Sequence, residues 1–189
     1  MTKAPDRNLI VGLDIGTTKI AVLVGEVLPD GEVNIVGLGT HAAKGMDKGG
    51  VNDLESVVKS LQRAVEEAEM MAQCHISSVF LGISGKHIEC RNEKGIVPIS
   101  DEEVTQDDVD NVIHTAKSVR LPEEHRVLHV IPQEYSIDYQ EGIKNPIGLS
   151  GVRIGAKVHL INCHNDMARN IEKCVERVGL KVDQIIFSA

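Results

Sequence analysis

The sequence predicts an α/β fold in which a sheet-based core is interrupted by a smaller inserted unit. Three apolar runs between residues 9 and 39 are separated by short turns, so these strands are expected to run antiparallel. Later strands, at residues 78–83 and 182–187, alternate with helices, as parallel strands do. Between them the alternation changes, and residues 85–163 predict a separate set of elements. The predicted order is β-β-β-α-β, an inserted β-α-β-β unit, and then α-β.

Both helices of the predicted core begin at residues that commonly cap helices. Asn52 is expected to cap the first, and Glu55 is placed to complete a capping box. Its apolar face at helical spacing is predicted to comprise Leu54, Val57, Val58, Leu61, Val65, Ala68 and Met71. Asn165 is expected to cap the second helix, and Gly179 to end it in a left-handed conformation. The glycine-rich segment 44–50 predicts a flexible loop.

The inserted unit is predicted to contain one helix. It begins at Thr105, where Asp108 is placed to complete a capping box, and Pro122 marks its end. Its buried stripe is expected to comprise Val109, Val112, Ile113, Ala116 and Val119.

The rest of the inserted unit is predicted to be strands. Residues 85–100 are expected to form extended segments around the sequence Asn-Glu-Lys-Gly at 92–95. After the helix, two long strands are expected at roughly 126–139 and 152–162, joined by a loop rich in Gly and Pro.

Composition limits the classes of function. Apolar residues make up 42% and charged residues 25% of the chain, which predicts a folded globular core. There is no Trp, and only 2 Phe and 2 Tyr, so stacking of bases on aromatic side chains is not expected. A formal net charge of −8 repels phosphate backbones, so no nucleic-acid partner is expected.

Targeting and redox features indicate a cytoplasmic chain. No stretch approaches the roughly 20 apolar residues that a membrane span needs, and the polar first eight residues contain no apolar signal core. The 4 cysteines include no Cys-x-x-Cys pair, and cytoplasmic thiols stay reduced.

The turn between the first two strands is the strongest candidate site. Gly16 lets backbone N–H groups approach an anion, Thr17 and Thr18 add hydroxyl donors, and Lys19 adds a positive charge. Asp14, at the strand end, is a candidate ligand for hydrated Mg²⁺. The alternative is a hairpin in which Gly and Thr only shape the turn. The position favours phosphate binding, because actin-like ATPases have a phosphate loop on the first hairpin of such a core.

Rival motifs are incomplete. Gly85-Lys86 looks like the end of a Walker loop, but Phe80 and His87 stand where that motif needs Gly and Ser or Thr. His125 and His129 lie four apart, but in a strand this spacing separates them by about 13 Å, which does not suit a shared metal ion. No catalytic residue is therefore assigned.

Several longer segments resemble the FtsA family of bacterial cell-division proteins, within the superfamily of actin, sugar kinases and Hsp70. The resemblance covers essentially the whole chain, and its most specific segments lie in the insert. The segments that carry it are residues 11–19, 45–54, 84–88, 127–135 and 145–151.

The resemblance implies an actin-like (ribonuclease H-like) fold with two subdomains. Residues 1–84 and 164–189 correspond to subdomain 1A, the nucleotide-binding half, and residues 85–163 to the inserted subdomain 1C, which makes polymer and partner contacts. Residues 14–19 correspond to the first phosphate loop around ATP and Mg²⁺. No catalytic base is expected in this half, and at most a weak ATPase activity in a complete protein.

The resemblance also implies a role. Members form actin-like filaments, link the FtsZ ring to the membrane through a C-terminal helix, and recruit late division proteins such as FtsN. The expected location is the cytoplasmic side of the inner membrane at the division septum. This chain lacks the second half expected for the family, including a helix that would cover the sheet. It is therefore expected to be soluble, to hold half of the ATP site and to bind ATP weakly or not at all.

Two alternatives remain open at the level of sequence. One is a small-molecule kinase of the same superfamily, acting on a sugar or an acid, although that function gives no reason for the insert. The other is a protein-interaction domain in which the first hairpin no longer binds nucleotide.

Overall fold

A computed structural model describes residues 7–118 and 122–188. The chain forms two compact units: unit 1 comprises Met1–His87 and Asn165–Ala189, and unit 2 comprises Ile88–His164. The elements, in chain order, are β1 (Leu9–Ile15), β2 (Lys19–Val27), β3 (Val33–Ala42), β4 (Met46–Asp47), β5 (Gly50–Val51), α1 (Leu54–Ala72), β6 (Ser78–Ile83), β7 (Ile88–Pro98), α2 (Gln106–Lys117), β8 (His125–Ile137), β9 (Gln140–Ile143), β10 (Arg153–His164), α3 (Asn165–Arg177) and β11 (Lys181–Phe187).

Unit 1 is built on a five-stranded sheet in the order β11-β6-β1-β2-β3. The strands β1, β2 and β3 are antiparallel neighbours, whereas β6 runs parallel to both β1 and β11. This confirms the predicted fold class, with three antiparallel strands followed by parallel strands that alternate with helices.

The two faces of this sheet differ in burial. Alternate residues of β1 and β2 point to opposite faces, and Leu13, Ile15 and Ile20 are at most 1% exposed on the face that carries the helices. On the opposite face, Ile10 is 39% and Leu23 44% exposed. We call this second surface the open face of unit 1.

Helix α1 begins one residue later than predicted. Asp53, not Asn52, is the N-cap: its backbone is extended and its carboxylate accepts a hydrogen bond from the N–H of Ser56 at 3.3 Å. Hydrogen bonds from Ser56 lower the pKa of the Asp53 carboxyl. The prediction failed because Asn and Asp are both strong caps, and the sequence alone did not decide between neighbours.

The buried face of α1 also differs from the predicted one. Met71 is 61% exposed, whereas Ala64 and Ala72, which the prediction omitted, are buried. The reason lies in β3, where a Cβ atom at Gly37 would come within 2.8 Å of the Ala68 carbonyl oxygen. The helix packs directly on glycines, so small side chains rather than large ones face the sheet. The buried residues are Val57, Ser60, Leu61, Ala64, Val65, Ala68 and Ala72.

The segment predicted as a loop at 44–50 contains a small hairpin. Strands β4 and β5 pair antiparallel, and both turn residues have positive φ, 50° at Lys48 and 84° at Gly49. Two consecutive residues with positive φ are typical of the two-residue turns that join the strands of a β-hairpin.

Unit 2 is an antiparallel sheet in the order β7-β10-β8-β9, with α2 packed on β7 and β10. Its core includes buried residues of the helix and the sheet, namely Val104, Val109, Val112, Ala116, Ile137, Ile143, Ile154, Ala156, Val158 and Leu160. Three of the five residues predicted for the helix stripe are buried and Ile113 is partly buried. Val119 lies outside the described residues.

The interruption predicted around 92–95 is absent from this unit, because β7 is continuous through it. A Cβ atom at Gly95 would lie 2.5 Å from the main-chain nitrogen of Ala116. Gly95 therefore permits the close approach of α2 to the sheet and does not mark a turn. The loop predicted between the last two strands also holds an additional short strand, β9.

The predicted capping box of α2 is confirmed. Thr105 caps the helix, its hydroxyl accepts from the N–H of Asp108 at 3.3 Å, and the Asp108 carboxylate accepts from the N–H of Thr105 at 2.9 Å. The helix ends at Lys117, before the predicted stop at Pro122.

Within the two described ranges, no helix is both long and apolar enough to cross a membrane.

Candidate functional site

The predicted phosphate turn lies at the end of the β1–β2 hairpin. Ile15 and Ile20 are paired, and the N–H of Gly16 donates to the carbonyl of Lys19 at 3.0 Å. The loop proper therefore consists of two residues, Thr17 and Thr18. Its position is fixed from the side, because the N–H of Ala43, just beyond β3, donates to the Thr18 carbonyl at 2.9 Å.

Gly16 has a structural function in this turn. A Cβ atom at this position would lie 3.0 Å from the Lys19 carbonyl oxygen, which is tighter than ordinary van der Waals contact. Its N–H is also used within the hairpin. In this conformation the N–H of Gly16 itself is therefore not available to an anion.

The remaining residues of the turn present unused donors. Thr17, Thr18 and Lys19 are exposed. Within residues 7–118 and 122–188, the two threonine hydroxyls have no hydrogen-bond partner and the Lys19 ammonium has no ion pair. Two hydroxyls and one cation beside each other are suitable donors for a phosphate group.

Asp14 is half-buried on the open face, at the carboxyl end of β1. Its Oδ1 atom accepts a hydrogen bond from the hydroxyl of Ser188 at 2.7 Å. No donor in the described part of the chain reaches its other carboxylate oxygen, Oδ2. One oxygen is therefore fixed by the protein and the other is available.

Ser188 is the residue that the sequence interpretation missed. It directly follows β11, and the N–H of Ser188 donates to the carbonyl of Ile83 at the end of β6 at 3.0 Å. A signal was present in the sequence, because parallel strands end at the same edge of a sheet and a polar residue just after β11 therefore lies near the end of β1.

These residues fit a magnesium-bound phosphate group. Mg²⁺ usually keeps several waters and binds proteins through one or two carboxylates, and the free Oδ2 of Asp14 supplies such an acceptor. The hydroxyls of Thr17 and Thr18 and the ammonium of Lys19 supply donors for the phosphate oxygens. The fit is supported by the absence, among the described residues, of hydrogen-bond or ion-pair partners for Oδ2 of Asp14, the two hydroxyls and the ammonium. The N–H of Gly16, by contrast, is already bonded within the hairpin.

The neighbouring β4–β5 hairpin is held against the end of β6. The N–H of Lys86 donates to the Lys48 carbonyl at 3.4 Å, and a Cβ atom at Gly85 would lie 2.8 Å from the Cα atom of Gly49. Gly49 and Gly85 both have positive φ, 84° and 136°. The two backbones meet here because neither residue has a side chain.

Comparison with known proteins decides the family. The chain is 74% identical over 188 residues to cell division protein FtsA of Escherichia coli (strain K12), which covers 100% of this chain and 45% of that protein. Residues 85–162 match the model of the SHS2 domain inserted in FtsA. The chain belongs to the FtsA family. More distant FtsA proteins agree: that of Buchnera aphidicola subsp. Acyrthosiphon pisum is 59% identical over 188 residues, covering 100% of this chain and 45% of that protein.

The FtsA protein of Pseudomonas aeruginosa is 50% identical over 186 residues, covering 98% of this chain and 45% of that protein. The chain thus spans a little under half of the length of these FtsA relatives. Among solved structures, the PilM-PilN type IV pilus biogenesis complex aligns with a TM-score of 0.62 at 14% identity, covering 96% of this chain and 48% of that chain. This likeness shows the fold alone, which is the predicted actin-like fold.

Proposed function

We propose that the chain is a portion of a bacterial cell-division protein that binds ATP with Mg²⁺ and assembles into actin-like filaments. In this proposal, the portion supplies the first phosphate loop of the ATP site and a surface for partner proteins. The observation that carries the nucleotide site is the β1–β2 turn, where Thr17, Thr18 and Lys19 present unused donors near the half-buried carboxylate of Asp14. Membership of the FtsA family supports the role in cell division.

The turn residues would divide the work of holding the nucleotide. The hydroxyls of Thr17 and Thr18 would donate to phosphate oxygens, and Lys19 would offset their charge. Asp14 would accept from water bound to Mg²⁺, and the ion when bound would neutralise charge on the phosphates. Gly16 would contribute by allowing the turn itself to form.

The chain would contribute only part of the nucleotide contacts. It spans 45% of the length of its E. coli relative, and the described residues contain one predicted phosphate turn, at residues 14–19. In the proposal, ATP is a ligand held between this portion and a second portion, with at most slow hydrolysis. Loss of several kcal/mol of contacts lowers affinity by about 10³-fold or more, so binding to this chain alone is expected to be weak.

The inserted unit would make the partner contacts. We assign the roles of subdomains 1A and 1C to units 1 and 2, and place the contacts with late division proteins such as FtsN, and with further copies of the chain, in unit 2. Attachment to FtsZ and to the inner membrane at the septum would use segments outside this chain. The SHS2 match over residues 85–162 supports this proposal over a sugar or acid kinase, which gives no role to such an insert.

Amide NMR of the ¹⁵N-labelled chain tests the nucleotide site. Titration with Mg²⁺–ATP is expected to shift the amide signals of Thr17, Thr18 and Lys19, while the turn at Gly31, at the other end of β2, stays unchanged. The double variant Thr17→Ala/Thr18→Ala is expected to abolish these shifts. Thr115→Ala, an exposed threonine in unit 2, serves as the matched control.

The possible results separate the ideas. Absence of any shift in residues 14–19 at millimolar Mg²⁺–ATP would show that the turn is structural only. Submicromolar affinity would show instead that this chain holds a complete site.

For the partner contacts, a longer form of the protein without residues 88–164 is expected to lose binding to late division proteins. Retained binding in a folded deletion variant would remove unit 2 from that role.

A further inference from the structure

Three strand ends meet around the carboxylate of Asp14 on the open face of unit 1. Asp14 lies opposite Gly82 in the parallel register of β1 and β6. Ser188 follows β11 directly, and its hydroxyl donates to Oδ1 of Asp14 at 2.7 Å across a sequence separation of 174 residues. The contact therefore joins the end of β1 to the residue that follows β11.

The main chain of Ser188 is held beside the end of β6. The N–H of Ser188 donates to the Ile83 carbonyl at 3.0 Å, which extends the pairing of β11 with β6 by one bond. Gly82 leaves the space that the contact occupies, because a Cβ atom there would lie 3.2 Å from Oδ1 of Asp14 and 3.2 Å from the Ser188 Cβ atom. The contact thus involves a glycine in β6 and a serine directly after β11.

We propose that Ser188 is a positioning residue of the nucleotide site: its hydroxyl fixes Oδ1 of Asp14 and leaves Oδ2 to accept from water bound to Mg²⁺. The inference rests on the proposed nucleotide function, because it assigns a purpose to a contact within that same site. Ser188 itself touches the carboxylate and not the nucleotide.

The physical basis is the loss of freedom of the carboxylate. A half-buried Asp at the end of a strand has several accessible side-chain conformations, and a ligand that needs one of them must offset the entropy of fixing it. A hydrogen bond made before binding removes this requirement. Groups that orient a metal-facing ligand in this way typically change metal affinity by about 10–100-fold when they are removed.

The experiment measures ATP affinity of the chain with Mg²⁺ and with EDTA, using the amide shifts of Thr17 and Thr18. In Ser188→Ala the dissociation constant for Mg²⁺–ATP is expected to rise by about 10–100-fold, while the constant in EDTA stays unchanged. Ser188→Thr keeps the hydroxyl and is expected to restore binding. Ser150→Ala, an exposed serine of unit 2, is the matched control.

A second measurement does not need nucleotide. In the ligand-free chain, three-bond couplings of Asp14 are expected to report one χ1 rotamer in the wild type and averaged rotamers in Ser188→Ala. In an Asp14→Asn background, Ser188→Ala is expected to have no further effect on Mg²⁺–ATP affinity, because both residues then act through the same interaction.

The two proposals fail in different ways. Wild-type binding that depends on Mg²⁺ but is unchanged in Ser188→Ala would overturn the positioning role and leave the nucleotide site standing. Equal losses with Mg²⁺ and with EDTA would also overturn it, because they indicate a general structural effect. Absence of Mg²⁺-dependent binding in the wild type would overturn the nucleotide function and this inference with it.

Discussion

The main-chain N–H of Gly16 donates to the carbonyl oxygen of Lys19 at 3.0 Å and closes the β1–β2 hairpin. A Cβ atom at position 16 would lie 3.0 Å from that same oxygen. The hairpin therefore favours a glycine at position 16 whether or not a nucleotide binds. Loss of ATP binding in a Gly16 variant would not identify a phosphate site, and the threonine hydroxyls are the better probes.

The first prediction concerns folding at this turn. Gly16→Val is expected to lower the free energy of unfolding by about 1–3 kcal/mol in the absence of nucleotide, because the branched side chain is forced against the Lys19 carbonyl. Denaturant unfolding followed by circular dichroism measures this change. Gly12→Ala in the same strand is the control, since a Cβ atom there has no neighbour within 4 Å. Equal stability of the two variants would contradict the crowding argument.

The second prediction concerns the contact between α1 and β3. A Cβ atom at Gly39 would overlap the main-chain carbonyl oxygen of Ala64, so Gly39→Ala must displace the helix from the sheet. The expected loss is about 3 kcal/mol or more, at the upper end of overpacking effects. Thr40→Ala, an exposed neighbour on the same strand, is expected to change stability by less than about 1 kcal/mol. A tolerated Gly39→Ala would show that α1 does not pack directly on β3.

The third prediction uses the Asp108 carboxylate, which is buried at the start of α2. It accepts hydrogen bonds from the N–H and hydroxyl of Thr105 and from the N–H and hydroxyl of Ser100. These bonds, those from Thr105 foremost, lower the pKa of Asp108. A carboxyl whose pKa is lowered by folding stabilises the folded state above its unfolded pKa of about 3.9, and this contribution disappears as the pH falls through the folded pKa.

The stability difference between wild type and Asp108→Asn is therefore expected to be largest near neutral pH and to shrink below about pH 4. Urea unfolding at a series of pH values measures it. Asp107→Asn is the control, because the Asp107 carboxylate is exposed and has no hydrogen bond within the described residues. A difference that stays constant down to acidic pH would mean that Asp108 is not stabilised as the charged form.

The sequence predicted the parts of the fold that depend on periodicity. Apolar runs and short turns placed β1, β2 and β3 correctly, and the Thr105–Asp108 pair identified the start of α2 because both partners of a capping box are local in sequence. The predictions failed where a distant backbone decided the outcome. Gly95 was expected in an interrupted segment, but α2 packs on it, and no local pattern reports that approach.

The candidate site divides in the same way. The turn at 14–19 was found from the sequence because all of its residues are consecutive. The hydrogen bond from the Gly16 N–H to Lys19 depends on hairpin geometry, and the contact of Ser188 with Asp14 depends on strand order. A local sequence motif therefore predicts neither of them. The binding roles of Asp14, Thr17, Thr18 and Lys19 stay predictions.

The last prediction concerns the cysteines, which differ sharply in environment. Cys90 is exposed on β7, whereas Cys163 and Cys174 are buried. Burial raises the pKa of the Cys174 thiol to about 11, and its Sγ atom donates to the Asn170 carbonyl at 3.3 Å. At pH 8 only roughly a thousandth of such a thiol is ionised, and the thiolate is the reactive form.

Brief treatment of the native chain with iodoacetamide at pH 8 is therefore expected to modify Cys90 first and to leave Cys174 unmodified, as measured by peptide mass spectrometry. In concentrated guanidinium, all four cysteines are expected to react at similar rates, because unfolding removes the differences in burial. Cys90→Ser is expected to remove the fast phase without changing the slow one. Rapid native labelling of Cys174 would show that α3 does not pack as described, since its buried face contains this thiol beside Ile171 and Val175.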